Sequence, residues 1–177
     1  MSGEIGVGVI GMGFMGANHA RAYVAAARDG TACRLVAVSD PSPERLSGGT
    51  PAGGNIKAGA DLPLFDPAEV TGYTRAEDLL RDGRVNLVSV CTPTDTHVEL
   101  ALAALQAGKH VLLEKPVALA SAEVARLAEA ARGAGTLCMP AMCMRFWPGW
   151  TFLRDAVRDG RFGALRALSL HRLGSGP

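Results

Sequence analysis

Apolar residues along the chain come in short solid runs that alternate with stretches of helical period. "EIGVGVIG" reads as a buried strand ending in glycine, and the stretch to Arg28 carries Met15, Ala20, Tyr23, Val24 and Ala27 near helical spacing. "CRLVAVSD" is a second apolar strand, closed by Asp40. The order then loosens. After a brief helical candidate, residues 48–67 are rich in Gly and Pro and read as an extended surface loop. A short strand near 70–73 and a helix near 75–82 follow, and "NLVSVCT" is the next strand.

Thr96 and Glu99 have the S/T-x-x-E spacing of a capping box, with Val98, Ala101, Leu102 and Leu105 on one face and Gly108 as the stop. "HVLLE" is a further strand. Ser121 is expected to cap a helix that turns Val124, Leu127, Ala128 and Ala131 inward. "LCMPAMCM" is strand-like, and Pro140 marks it as an edge. The aromatic turn "RFWPGW", a helix to about Arg158 and a weak strand over 165–173 complete the chain. Strands alternating with helices in this way predict an α/β fold, a doubly wound parallel sheet. Such sheets bind ligands at the carboxyl ends of their strands, where strand order reverses.

Composition narrows the function classes. The 177 residues carry 18 basic and 17 acidic side chains, a formal charge of +1, so no basic face for nucleic acid is expected. No apolar run approaches the roughly 20 residues of a membrane span. The residues after Met1 lack the basic and apolar regions of a signal peptide, which argues for the cytoplasm. Cys33, Cys91, Cys138 and Cys143 form no C-x-x-C pair, and reduced, buried thiols are expected. No metal site is expected.

"GMGFMG" supplies Gly11, Gly13 and Gly16 in the G-x-G-x-x-G spacing, between a predicted strand and a predicted helix. Asp40 follows Gly16 by 24 residues, at the end of the next strand. Gly11 permits the tight turn, Gly13 lets a pyrophosphate approach the backbone, and Gly16 lets helix pack on strand; the helix N-terminus offers free N–H groups. Asp40 accepting from the adenosine ribose favours NAD over NADP, a preference that Arg45 weakens a little. A kinase loop is excluded, because the expected lysine-bearing strand does not follow.

"HVLLEKPVAL" puts Lys115, one of three lysines against fifteen arginines, at the end of an apolar strand with Pro116 behind it. Alternation sends Glu114 and Lys115 to opposite faces. Lys115 is expected to point into the crevice, where an amine can donate to a developing alkoxide or take its proton. An arbitrary lysine at a strand end more commonly snorkels to solvent.

Together, "GVIGMGFMGANHARAY", "CTPTDTHVELALAALQAGKHVLLEKPVAL" and "RFWPGWTFLRDAVRDGRFG" resemble the N-terminal portion of the Gfo/Idh/MocA oxidoreductases. The resemblance implies a Rossmann domain over 1–144 and, over 145–177, the first helix and strand of an incomplete α+β substrate and dimerisation domain. It implies hydride transfer between NAD(P) and a hydroxyl-bearing carbon of a sugar, cyclitol or related polyol. Gly11, Gly13, Phe14, Met15, Gly16 and Asp40 match the dinucleotide contacts. Thr92, Pro93, Thr94 and His97 match the loop beside the nicotinamide and its ribose. Glu114, Lys115 and Pro116 match the E-K-P motif, whose lysine is catalytic, and Arg145 matches a position near the cofactor. For His97 the alternative is a helix-start histidine facing water; for Arg145, Phe146, Trp147 and Trp150 it is packing at the domain junction. The Gly/Pro stretch from Ser47 to Pro67 departs from the family's longer helix. The family's second domain often forms a dimer face, so a homo-oligomer is implied for a full-length protein, and the 177-residue chain alone is expected to be inactive. A non-catalytic NAD-sensing module acting through a partner protein is the alternative of another class, and NAD-assisted glycoside cleavage is a third.

Overall fold

The computed structural model describes residues 3–49, 63–171 and 173. It divides into two compact units, residues 1–141 and 142–177.

In the first unit six strands form one parallel sheet: β1 (Ile5–Ile10), β2 (Cys33–Ser39), β3 (Thr71–Tyr73), β4 (Leu87–Val90), β5 (His110–Leu113) and β6 (Cys138–Pro140). Their order is β3-β2-β1-β4-β5-β6, the doubly wound arrangement. Helices α1 (Phe14–Arg28), α2 (Ala76–Arg81), α3 (His97–Gln106) and α4 (Ser121–Gly133) connect them. Side chains alternate along β1: Val9 packs with Ala17 and Ala20 of α1, whereas Ile10 packs with Leu79, Val98 and Ala101 of α2 and α3. Two apolar cores therefore lie on opposite faces of one sheet. Strand order reverses between β1 and β4, which pair directly from Val7↔Leu87 to Ile10↔Val90. Their carboxyl ends open a crevice there. Pro140 lies in the edge strand β6, where its missing N–H costs no ladder bond.

Several local expectations are corrected. Thr96 makes no side-chain cap on α3, because a 3-10 turn (Thr94–Thr96) precedes the helix and places Thr96 in the helical region. Its hydroxyl instead lies 2.7 Å from both Pro93 O and Thr92 Oγ1, and Glu99 pairs with Arg126 of α4. Ser121 does not cap α4 either; it is the first helical residue, after an extended Ala120. Of the face expected to turn inward, only Leu127 is fully buried, and Val124 and Ala128 are exposed. A helix beside the sheet's edge buries a narrower stripe than one over its centre. The reading of 48–67 as surface loop fails at Leu64 and Phe65, which are buried under α1, with Leu64 N–H donating to Gly48 O at 2.7 Å. Residues 50–62 of that stretch lie outside the described residues. The cysteines are less buried than expected: Cys33 is buried, Cys91 and Cys138 are half-buried, and Cys143 is exposed.

In the second unit a 3-10 turn (Cys143–Phe146) leads into α5 (Pro148–Arg158), with Pro148 at the helix start, where it forfeits no bond. Arg161 stacks over Phe152 at 5.6 Å. The strand expected over 165–173 does not form: the described residues there are irregular and exposed. A strand needs a neighbour to satisfy its ladder, and no described segment pairs with this one. Among the described residues no helix is long and apolar enough to cross a membrane.

Candidate cofactor site

A cleft of about 930 Å³ opens at the carboxyl ends of β1, β2 and β4. Gly11, Gly13, Met15, Asp40, Thr92 and Pro93 all line it, together with Arg45 and Cys91. The first turn of α1 forms one end. Gly11 has φ +88°, a conformation that side-chain-bearing residues rarely adopt, and Gly11 N–H donates to Ser39 O at 2.7 Å. The chain thereby turns sharply off β1 and starts α1 at the mouth of the cleft. No side chain caps that helix. Its first N–H groups lack intrahelical acceptors and carry the positive end of the helix dipole. A Cβ built on Gly13 would meet nothing within 4 Å, so the approach to these N–H groups is open. A Cβ on Gly16 would fall 1.8 Å from Gly11 O, which fixes that residue as glycine for packing.

The other end is Asp40, only 4% exposed. Its Oδ2 accepts the Met12 N–H at 2.8 Å, its Oδ1 accepts the Ser42 N–H at 3.0 Å, and the Arg45 guanidinium lies 3.4 Å from Oδ2. These three contacts leave acceptor capacity on the carboxylate. Free N–H donors at one end and a buried acid at the other suit a dinucleotide: pyrophosphate on the helix, ribose hydroxyls on the acid.

The remaining expected residues are placed elsewhere. Phe14 is half-buried in the first turn of α1, and Gly16 is buried behind it. Thr94 is half-buried in the turn before α3, outside the cleft lining. His97 is 1% exposed, with Nε2 2.9 Å from Thr92 O and Nδ1 2.8 Å from Pro116 O. It bridges the loops after β4 and β5 and does not face water. Glu114 is buried, and Lys115 and Pro116, joined by a cis peptide bond, are exposed. Lys115 is not among the residues that line this cleft. Lys115 follows β5, one strand beyond the β1–β4 switch point, and among the described residues its amine has no hydrogen-bond or ion-pair partner. Arg145 belongs to the second unit, exposed in the turn before α5.

Sequence reasoning missed a polar line beside the cleft. Tyr23 Oη lies 2.8 Å from Ser89 Oγ, Ser89 Oγ 3.1 Å from His19 Nδ1, and His19 Nε2 3.0 Å from Glu114 Oε1. The available signal was Ser89, a polar residue inside an otherwise apolar strand, which demands a partner when buried. Burial, and then the charge of Glu114, push the Cys91 thiol strongly up, so it lines the cleft as a neutral group.

Residues 5–142 match the model of an oxidoreductase family, Gfo/Idh/MocA, described as NAD-binding with a Rossmann fold. An inositol 2-dehydrogenase of Saccharopolyspora erythraea is 35% identical over 169 residues, 93% of this chain and 43% of that protein. A myo-inositol 2-dehydrogenase of Thermotoga maritima is 32% identical, over 93% of this chain and 44% of its own length. The crystal structure of an oxidoreductase domain protein from Kribbella flavida superposes with a TM-score of 0.75 at 36% identity, covering 90% of this chain and 39% of that one. The chain thus spans rather less than half the length of the curated relatives it matches most fully. Glycine loop, switch-point cleft and buried acid agree with that match, and the chain belongs to the Gfo/Idh/MocA oxidoreductase family, through its NAD-binding Rossmann fold.

Proposed function

We propose that this chain supplies the cofactor unit of an NAD-dependent dehydrogenase acting on a hydroxyl-bearing carbon of a cyclitol, sugar or related polyol. The observation that carries the reading is the cleft itself, with the uncapped N-terminus of α1 at one end and buried Asp40 at the other. The substrate class is supported by the inositol dehydrogenases among the relatives. Residues 1–144 serve as the dinucleotide domain, and 145–177 belong to a second, substrate and dimerisation domain.

The chemistry a bound NAD⁺ supplies is hydride acceptance at its nicotinamide. The N–H groups of Gly13, Phe14 and Met15 hold the pyrophosphate, and Gly16 keeps the helix close enough for them to do so. Asp40 holds the adenosine ribose and repels a 2′-phosphate, which favours NAD; exposed Arg45 offsets part of that repulsion. Thr92 and Pro93 wall the nicotinamide side, Thr94 supports them from the turn that follows, and His97 lies behind. Lys115, with Glu114 and Pro116 fixing the turn around it, polarises the substrate hydroxyl or takes its proton.

In a polypeptide of the relatives' length carrying these residues, Lys115→Ala is expected to lower turnover of a cyclitol with NAD⁺ by roughly 10²- to 10⁴-fold. NADH affinity should stay within a few-fold. Turnover equal to wild type would contradict the role given to Lys115.

A further inference from the structure

Glu114 is 6% exposed at the end of β5, and a carboxylate buried this deeply is tolerated only where its oxygens are bonded. Oε2 accepts the backbone N–H of Lys115 at 2.9 Å, and Oε1 lies 3.0 Å from His19 Nε2. A carboxylate only accepts, so Nε2 is the donor. With the proton on Nε2, a neutral ring presents a bare Nδ1, which accepts from Ser89 Oγ; Ser89 in turn accepts from the Tyr23 hydroxyl. Every donor along Tyr23, Ser89 and His19 then has an acceptor, and the line ends on the main chain of Lys115.

The next residue is held from the other side. Pro116 O lies 2.8 Å from Nδ1 of buried His97, whose Nε2 reaches Thr92 O in the cleft wall. Lys115 is thus flanked by two residues, each tied to an imidazole on a helix that begins at the cleft. Its own amine has no partner among the described residues. The region that amine can sweep is therefore centred by its backbone, with its side-chain torsions free to search from there.

We infer that His19 and Glu114 are positioning residues for Lys115, locking its main chain to α1, the helix whose N-terminus forms the phosphate cradle. The same helix thereby sets the distance between cofactor and lysine. Displacements of about 1 Å at a reacting group cost on the order of 10²-fold in rate, so a rigid tie has kinetic value. The inference rests on Lys115 being the residue that handles the substrate proton.

Amide hydrogen exchange of the ¹⁵N-labelled chain tests the tie without cofactor or turnover. His19→Phe keeps a ring but leaves Glu114 Oε1 without its donor. The Lys115 amide is expected to lose about tenfold or more of its protection, the scale of a charge-assisted hydrogen bond. The Glu114 amide, which donates to Val90 O at 3.0 Å, should keep its protection. His19→Gln, whose side-chain amide can donate to Glu114, should restore most of the loss. Wild-type exchange at Lys115 in folded His19→Phe overturns the inference, as does an equal loss along all of β5. Should His19→Phe not fold, Glu114→Gln decides. Glutamine puts an NH₂ donor in one of the two oxygen positions that His19 and Lys115 separately occupy, so either Lys115 loses protection or the His19 ring ¹⁵N shifts report a moved proton. Both unchanged would overturn the inference. A Lys115 without a catalytic role would instead show as unaltered turnover in Lys115→Ala, leaving the exchange result intact.

Discussion

Met12 donates its backbone N–H to Asp40 Oδ2 at 2.8 Å, across 28 positions of sequence. The glycine loop after β1 and the acid after β2 are therefore one hydrogen-bonded unit. Asp40→Ala would leave the N–H of Met12, a residue 1% exposed, without its acceptor. The expected loss of stability is about 1–3 kcal/mol. It would be read as a lower urea midpoint at unchanged slope.

The two outer glycines of "GFMG" should separate stability from binding. Gly16→Ala sets a methyl 1.8 Å from Gly11 O, a backbone atom that cannot rotate away. A cost of roughly 1–3 kcal/mol or more is expected, with a lower melting temperature. Gly13→Ala meets nothing within 4 Å and should melt as wild type does, while NADH affinity falls about tenfold or more as the methyl enters the phosphate approach. Equal melting temperatures for the two variants would contradict the packing described.

Acid should weaken the fold through Asp82. The Arg84 guanidinium, 2.6 Å away, is the main cause that holds this carboxyl down to about 2, helped by the Arg84 N–H and the Tyr73 hydroxyl. The folded value lies below the unfolded one of about 3.9. The stabilising contribution is therefore complete above about pH 4 and drains away as pH falls towards 2. Asp82→Asn is expected to flatten, without abolishing, the fall in melting temperature over that window. Glu44, Glu77, Glu99, Asp155 and Asp159 are also lowered by their hydrogen bonds and keep part of the slope. An unaltered slope would contradict the assignment.

The sheet was legible because its strands are buried on both faces and read as solid apolar runs, "GVGVI" and "LVAV" among them. The cleft lined by the glycine loop and Asp40 was legible for a related reason: spacing alone puts Gly11, Gly13 and Asp40 at neighbouring strand ends. Caps were not. Thr96 and Ser121 have suitable side chains, but a 3-10 turn before one and a one-residue offset at the other decide the outcome, and neither is visible in spacing. The strand expected over 165–173 failed because alternation cannot supply a partner. His19 escaped notice because its significance lies in contacts with Ser89 and Glu114, 70 and 95 positions away.

Titration of the chain with NADH and NADPH, followed by nicotinamide fluorescence, tests most directly whether the cleft between the glycine loop and Asp40 binds NAD. NADH is expected to bind about tenfold or more tightly than NADPH, and Asp40→Ala to weaken NADH while narrowing that gap, on the scale of one charge-assisted contact. Absence of binding by either dinucleotide, or NADH binding indifferent to Asp40, would contradict that role for the cleft.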